Sequence, residues 1–254
     1  MRLIVDDTHL GQPESAWKVP KGLAGVQSIE IGDTRRIVLV AAHPDDEVFG
    51  AGGLIQYELS KGMSLQLLAV TDGEACHPDS EVAPTLDLAA IRYSESREAL
   101  QRLGWVEPVI AQLHLPDGEV TSYREALREQ LLTALRPGDL CVASWWLDGH
   151  PDHDACGAAV LWASQMVGAR MLGYLVWAWH WANPQGADIP WEQCRRLDLH
   201  RRERARKRWA TGAFDSQITP IGRDAADAAV LPVALLRRFW RPYEIYVETS
   251  REPV

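Results

Sequence analysis

The chain alternates short apolar runs with longer mixed segments. Residues 37–42 (IVLVAA) are continuously apolar and end in a charged turn, the pattern of a strand buried on both faces. A helix is predicted at about 48–61, ended by Gly62, and then a strand at 64–71 (SLQLLAVT). A helix at about 86–103 opens near Thr85 and stops before Gly104, and a strand is predicted at 108–114. Ser122 with Glu125 three residues on predicts a capping box for a helix from about 123, which Pro137-Gly138 stops. A strand at 139–144 (DLCVAS), a helix at about 154–167 before Gly168 and a strand at 172–178 follow. From about 195 the pattern predicts a basic helix, a short helix near 231–239 and a last strand at 243–248 (YEIYVE).

This alternation implies an α/β fold, a Rossmann-like three-layer sandwich with a mostly parallel central sheet. Residues 1–34 are poorly periodic and contain several Gly and Pro; they are predicted to be an N-terminal extension packed on the domain, with a short strand at 26–31. Residues 35–254 are expected to form one domain: a core of about 36–185 and a small C-terminal helix/strand cap of about 186–254.

Composition sets limits on function. At 46% hydrophobic and 24% charged residues the chain reads as globular. No apolar run approaches the roughly 18 residues of a membrane span. The net charge of −9 is uneven: residues 195–208 hold eight Arg/Lys against two Asp/Glu, a local +6 on a body of −15. An acidic body disfavours nucleic-acid binding. Cys76, Cys141, Cys156 and Cys194 form no CxxC pair, and the N-terminus, with Asp6 and Asp7 after three apolar residues, does not read as a signal peptide. A cytoplasmic protein with free thiols is expected.

In an open parallel sheet, ligands bind beyond the carboxyl ends of the strands. After the first strand stand His43-Pro44-Asp45-Asp46-Glu47, where a dinucleotide fold would need glycines and where three carboxylates would repel a pyrophosphate. After the strand at 139–144 stand Asp148-Gly149-His150-Pro151-Asp152-His153-Asp154. Histidine nitrogen with carboxylate oxygen suits zinc, iron or manganese. His43, Asp46 and one histidine of the second run make three protein ligands, the number found in catalytic zinc sites. The other histidine is then left for acid/base or electrostatic work. A third His-Pro-Asp, 77–79, lacks further ligands and reads as a loop near the site mouth. Glu95 interrupts the apolar stripe of Leu88, Ile91, Ala99 and Leu103, so an inward carboxylate is expected, with Arg92 within reach as partner.

At A-H-P-D-D-E (Ala42–Glu47) and H-P-D-H (His150–His153) the chain resembles the PIG-L/LmbE-like family of zinc-dependent N-acetylglucosaminyl deacetylases. The resemblance implies His43, Asp46 and His153 as metal ligands, with Zn2+ or another divalent metal such as Fe2+. It implies Asp45 as the general base, His150 as the group that stabilises the oxyanion or protonates the leaving amine, and Asp152 as the carboxylate that orients His150. It implies Arg92 and Asp117 as substrate contacts, and matches Glu95 to the family's R-x-x-E helix motif and Ser216-Gln217 to a frequent S-Q. The implied reaction is hydrolysis of an N-acetyl group on a small-molecule or glycolipid amino sugar. Alternatives are another metal-dependent amide hydrolase, a non-haem iron oxygenase or a non-catalytic sugar-binding module. Among eleven tryptophans, Trp145, Trp146, Trp177, Trp179 and Trp181 are candidates for core or for a sugar platform, with Trp177 and Trp179 expected on one strand face. The basic stretch is either a solvated face or a rim for an anionic substrate.

Overall fold

A computed structural model describes residues 11–18 and 22–249, so His9 and the first ten residues lie outside it. In chain order the elements are β1 (Gln27–Ser28), β2 (Arg36–Ala41), α1 (Asp46–Ser60), β3 (Ser64–Thr71), α2 (Leu88–Leu103), β4 (Ile110–Leu115), α3 (Arg124–Ala134) and β5 (Leu140–Ser144). There follow α4 (Pro151–Val167), β6 (Arg170–Tyr174), α5 (Ala178–Trp181), β7 (Cys194–Asp198), α6 (Arg201–Thr211), α7 (Asp215–Ile218), α8 (Val233–Leu236) and β8 (Tyr243–Glu248). Among the described residues eight strands form one sheet, in the order β1-β7-β8-β6-β5-β2-β3-β4. Of these strands only β8 runs antiparallel to its neighbours, β6 and β7.

Strand periodicity builds the three layers. Ile37, Leu39 and Ala41 face one core with α1, α2 and α6, while Val38 and Val40 face a second core with α3 and α4. After β2 the chain moves outward through β3 and β4, then returns to lay β5 on the other side of β2. The gap between β2 and β5 is therefore the topological switch point, where such sheets bind ligands. Both histidine-rich runs leave the sheet there.

Several expectations need correction. Ser122 and Glu125 form no capping box: Tyr123 precedes α3 without a side-chain cap, and Glu125 pairs with Arg124 and Arg128. α4 begins three residues early because Pro151 suits the first helical position and the His150 ring caps it, accepting from the Asp152 amide. Strand β6 stops at Tyr174, so Trp177 and Trp179 belong to α5 and its start, not to a strand face. Residues 194–198 form β7, held between β1 and β8, and the basic helix starts only at Arg201. The predicted strand at 26–31 shrinks to Gln27–Ser28.

Candidate active site

The loop from β2 into α1 is strained and clamped. Asp45 has φ 149°, a region L-residues rarely enter, at a cost of about 1–3 kcal/mol. Arg92 of α2 opposes that cost with three hydrogen bonds: Nη1 donates to the Gly73 carbonyl (2.9 Å), and Nη2 to the Pro44 carbonyl (2.8 Å) and Asp45 Oδ2 (2.9 Å). The Asp45 amide donates to Glu47 Oε2, whose other oxygen accepts from Ser96. Arg92 is therefore an anchor for Asp45, 2% exposed, rather than the presented substrate contact expected. The expected Arg92–Glu95 pair is also replaced: Glu95 accepts from the Ser216 amide and hydroxyl, both at 2.7 Å.

His43, His150 and His153 present ring nitrogens within 4.8 Å of one another and form a candidate metal site. Asp46 joins them. His43 Nδ1 and His153 Nε2 are 3.2 Å apart, and Asp46 Oδ2 lies 3.3 Å from the latter and 3.6 Å from the former. Ligands about 2.0–2.2 Å from a tetrahedral zinc would be separated by roughly 3.3–3.5 Å.

The outer partners fix which atoms face inward. His153 Nδ1 lies 2.7 Å from the Asp148 carboxylate, so it carries the proton and Nε2 offers a lone pair. His43 Nε2 lies 3.2 Å from Asp117 and 3.3 Å from Asp152, which leaves its Nδ1 as a lone pair too. Two lone pairs and a carboxylate oxygen thus converge on one point, an arrangement that attracts positive charge. The titration of the ligands follows: burial opposes charge on His43, yet Asp117, Asp152 and Asp46 raise it well above the usual histidine range. Burial likewise opposes a charged Asp46, and His153 and His43 still pull it below the usual carboxylate range.

Sequence reasoning counts Asp148 among the acids crowding the site but gives it no role of its own; it is fully buried and holds four donors. Besides His153 they are the amides of Val176, Trp177 and Ala178. Its one sequence signal is an acid five residues before His153.

Asp152, expected to orient His150, instead accepts from the Gly118 and Val120 amides and faces His43. His150 Nδ1 accepts the Asp152 amide (3.2 Å), which places the ring proton on Nε2. Burial and then His153 and His43 push His150 down to about 3, so it is a neutral donor. Its ring stacks on Trp177 with centroids 5.6 Å apart. Burial pushes Asp45 up to about 8 against the pull of Arg92. Asp117 lies on the site wall, its Oδ1 toward His43 and its Oδ2 accepting from Ala75.

Of the tryptophans, Trp145 and Trp179 are core, Trp177 backs His150, and Trp181 is 48% exposed over Gly149. Gly149 has φ +94°, and a Cβ there would lie 2.5 Å from Trp181 Nε1. His77 is buried against the Ser216 carbonyl. Of the two readings of the basic stretch, the structure favours the solvated face: Arg201, Arg202, Arg204, Arg206 and Arg208 are exposed. Arg195 pairs with Glu248, Arg196 with Asp198, and Lys207 is buried. Arg206 packs at Gly104, twelve residues and about 18 Å of helix from Arg92.

The profile of the PIG-L family, GlcNAc-PI de-N-acetylase, matches residues 38–164. A 130-residue stretch is 33% identical to diacetylchitobiose deacetylase of Thermococcus kodakarensis, covering 49% of this chain and 47% of that protein. A 132-residue stretch is 30% identical to the probable N-acetyl-alpha-D-glucosaminyl L-malate deacetylase 2 of Bacillus subtilis, covering 49% and 58%. The chain thus spans about half the length of the curated relatives it matches. The zinc-inhibited form of teicoplanin deacetylase Orf2 shares the fold, with TM-score 0.60 at 16% identity over 85% of this chain and 100% of that one. The family profile covers both histidine motifs and half of the residues, and the chain belongs to the PIG-L family.

Proposed function

We propose that this protein hydrolyses the N-acetyl group of an amino-sugar substrate, giving acetate and a free amine. The observation that carries the reading is the convergence of the His43 Nδ1 and His153 Nε2 lone pairs and Asp46 Oδ2 within 3.2–3.6 Å, beside a buried, arginine-anchored Asp45. These three residues would hold a divalent cation, which would lower the pKa of water toward 7 and polarise the acetyl carbonyl. Imidazole and carboxylate ligands suit zinc among the divalent metals. His150 is less suited as a ligand, because its Nδ1 already accepts the Asp152 amide.

The chain's own residues supply the proton chemistry. Asp45, held through Oδ2 by Arg92, takes a proton from the attacking water. The water oxygen bonds to the acetyl carbon, and the neutral His150 Nε2–H donates to the carbonyl oxygen as it becomes an oxyanion. The proton on Asp45 passes to the amide nitrogen as the C–N bond breaks. Trp177 and the Asp152 amide hold the His150 ring for this role.

A cavity of about 380 Å³, lined by Glu74, Ala75, His77, Asp87 and Leu88, adjoins Asp117 through Ala75. Glu74 and Asp87 on a largely apolar wall suit a neutral sugar better than an anionic group, and Trp181 offers an exposed aromatic face beside Gly149. Four unpaired cysteines, three of them buried, support a reducing compartment such as the cytoplasm. The test is acetate release from a panel of N-acetylated amino sugars after chelation and again after zinc is restored. Full activity in the stripped protein would refute the reading.

A further inference from the structure

α1 is broken in the middle of the core. Ala51 has φ −133° and ψ 15°, outside the helical region, so Asp46–Gly50 and the residues after the break are separate helical pieces. A break leaves backbone groups without helical partners, and in a buried helix these need others. One ion pair from the C-terminal part meets three of them. Lys207 Nζ donates to the Phe49 carbonyl (2.8 Å), while Glu244 accepts from the amides of Gly53 (2.6 Å) and Leu54 (3.0 Å). Lys207 Nζ and Glu244 Oε1 are 2.5 Å apart, and the Tyr246 hydroxyl donates to Glu244 Oε2 (2.6 Å). The two residues are 2% and 4% exposed. A Cβ on Gly53 would stand 2.3 Å from Leu199 and 2.9 Å from Glu244, so the carboxylate approaches bare backbone.

A buried ion pair is a poor source of stability, because desolvation cancels most of its attraction. What this one secures is a backbone shape. The piece before the break is five residues long, too short to hold itself helical, and it starts at Asp46 directly after the strained Asp45. We infer that Lys207 and Glu244 are positioning residues for the reaction proposed above: they fix the broken helix so that Asp46 meets His43 and His153 and Asp45 lies beside them.

The inference rests on the metal-site part of that reading, and its test uses no substrate. A failed deacetylase assay would therefore leave the test intact. Zinc affinity of the full chain is measured by competition with a chromophoric chelator, alongside thermal unfolding. Three proteins are compared with wild type: Lys207→Met/Glu244→Gln, the control Arg36→Met/Asp139→Asn, and Tyr246→Phe. The control pair sits at the opposite end of β2, with Nη2 and Oδ2 2.5 Å apart. Loss of support to a metal ligand weakens binding about 10- to 100-fold, and that is the expected effect of the Lys207/Glu244 change, with the control unmoved. Tyr246→Phe removes a single bond to Glu244 and is expected to weaken zinc by roughly threefold while lowering the unfolding midpoint no more than the control pair does. Wild-type zinc affinity in Tyr246→Phe and the Lys207/Glu244 variant, or equal weakening in the control, would overturn the proposal.

Discussion

Replacing Asp148 by Asn tests the logic of the site at one atom. The carboxylate accepts Val176 N (2.9 Å) and Ala178 N (3.0 Å) on Oδ1, and Trp177 N (2.8 Å) and His153 Nδ1 (2.7 Å) on Oδ2. Asparagine keeps the shape but turns one acceptor into a donor. Whichever way the amide lies, two of the four buried donors lose their acceptor. Each costs about 1–3 kcal/mol, so the change destabilises by about 2–6 kcal/mol. For a chain of this size that lowers the melting midpoint by roughly 4–24 °C. If the new NH2 faces His153, the ring takes the other tautomer and Nε2 gains a proton, which removes its lone pair. If it faces the amides of 176 and 178, the start of α5 shifts and carries Trp177 off His150. Differential scanning calorimetry and zinc titration read both effects, and zinc affinity is expected to fall about 10- to 100-fold. An Asp148→Asn protein that melts within a degree of wild type and binds zinc equally well would refute the assignment of Asp148 as the residue that sets His153.

Three further changes probe other parts. Asp45→Asn is expected to retain zinc and lower acetate release by about 10²- to 10⁴-fold, the usual scale for losing a general base; unchanged turnover would remove Asp45 from that role. Gly149→Ala places a methyl at φ +94° and against Trp181, with a backbone cost of about 1–2 kcal/mol and a displaced ring; calorimetry and the Michaelis constant are both expected to move. Glu95→Ala removes the acceptor of the buried Ser216 amide and hydroxyl, and a loss of about 1–3 kcal/mol should appear in urea unfolding.

The two metal motifs were legible because each is local and each ends a strand that its apolar pattern marks. The strand alternation also pointed to the three layers, since Ile37–Ala42 could be buried only between helices. What was not legible depends on contacts made over long separations. Asp148 finds its partners at 176–178, which only the β5–β6 pairing brings near. Arg92 turns to Asp45 rather than Glu95 because the strained loop lies across from it and Ser216 already fills Glu95. The residues at 194–198 carry arginines that suit a helix, but pairing to β8 overrides that preference. Lys207 and Glu244 come from different elements, and nothing local marks either one.

The three histidines show how one residue type takes different roles at one site. His43 and His153 each have a carboxylate behind the ring, so each turns a lone pair inward. His150 accepts a backbone amide on Nδ1, so its other ring nitrogen carries an N–H and is a donor. The inward atom therefore follows from the partner on the far side, and that partner is set by the fold: Asp148 by the β5–α5 contact, Asp117 and Asp152 by the end of β4 and the start of α4. Composition makes all three equivalent candidates for a metal. The hydrogen bonds separate two electron-pair donors from one proton donor, which is the division of labour that hydrolysis of an amide at a metal requires.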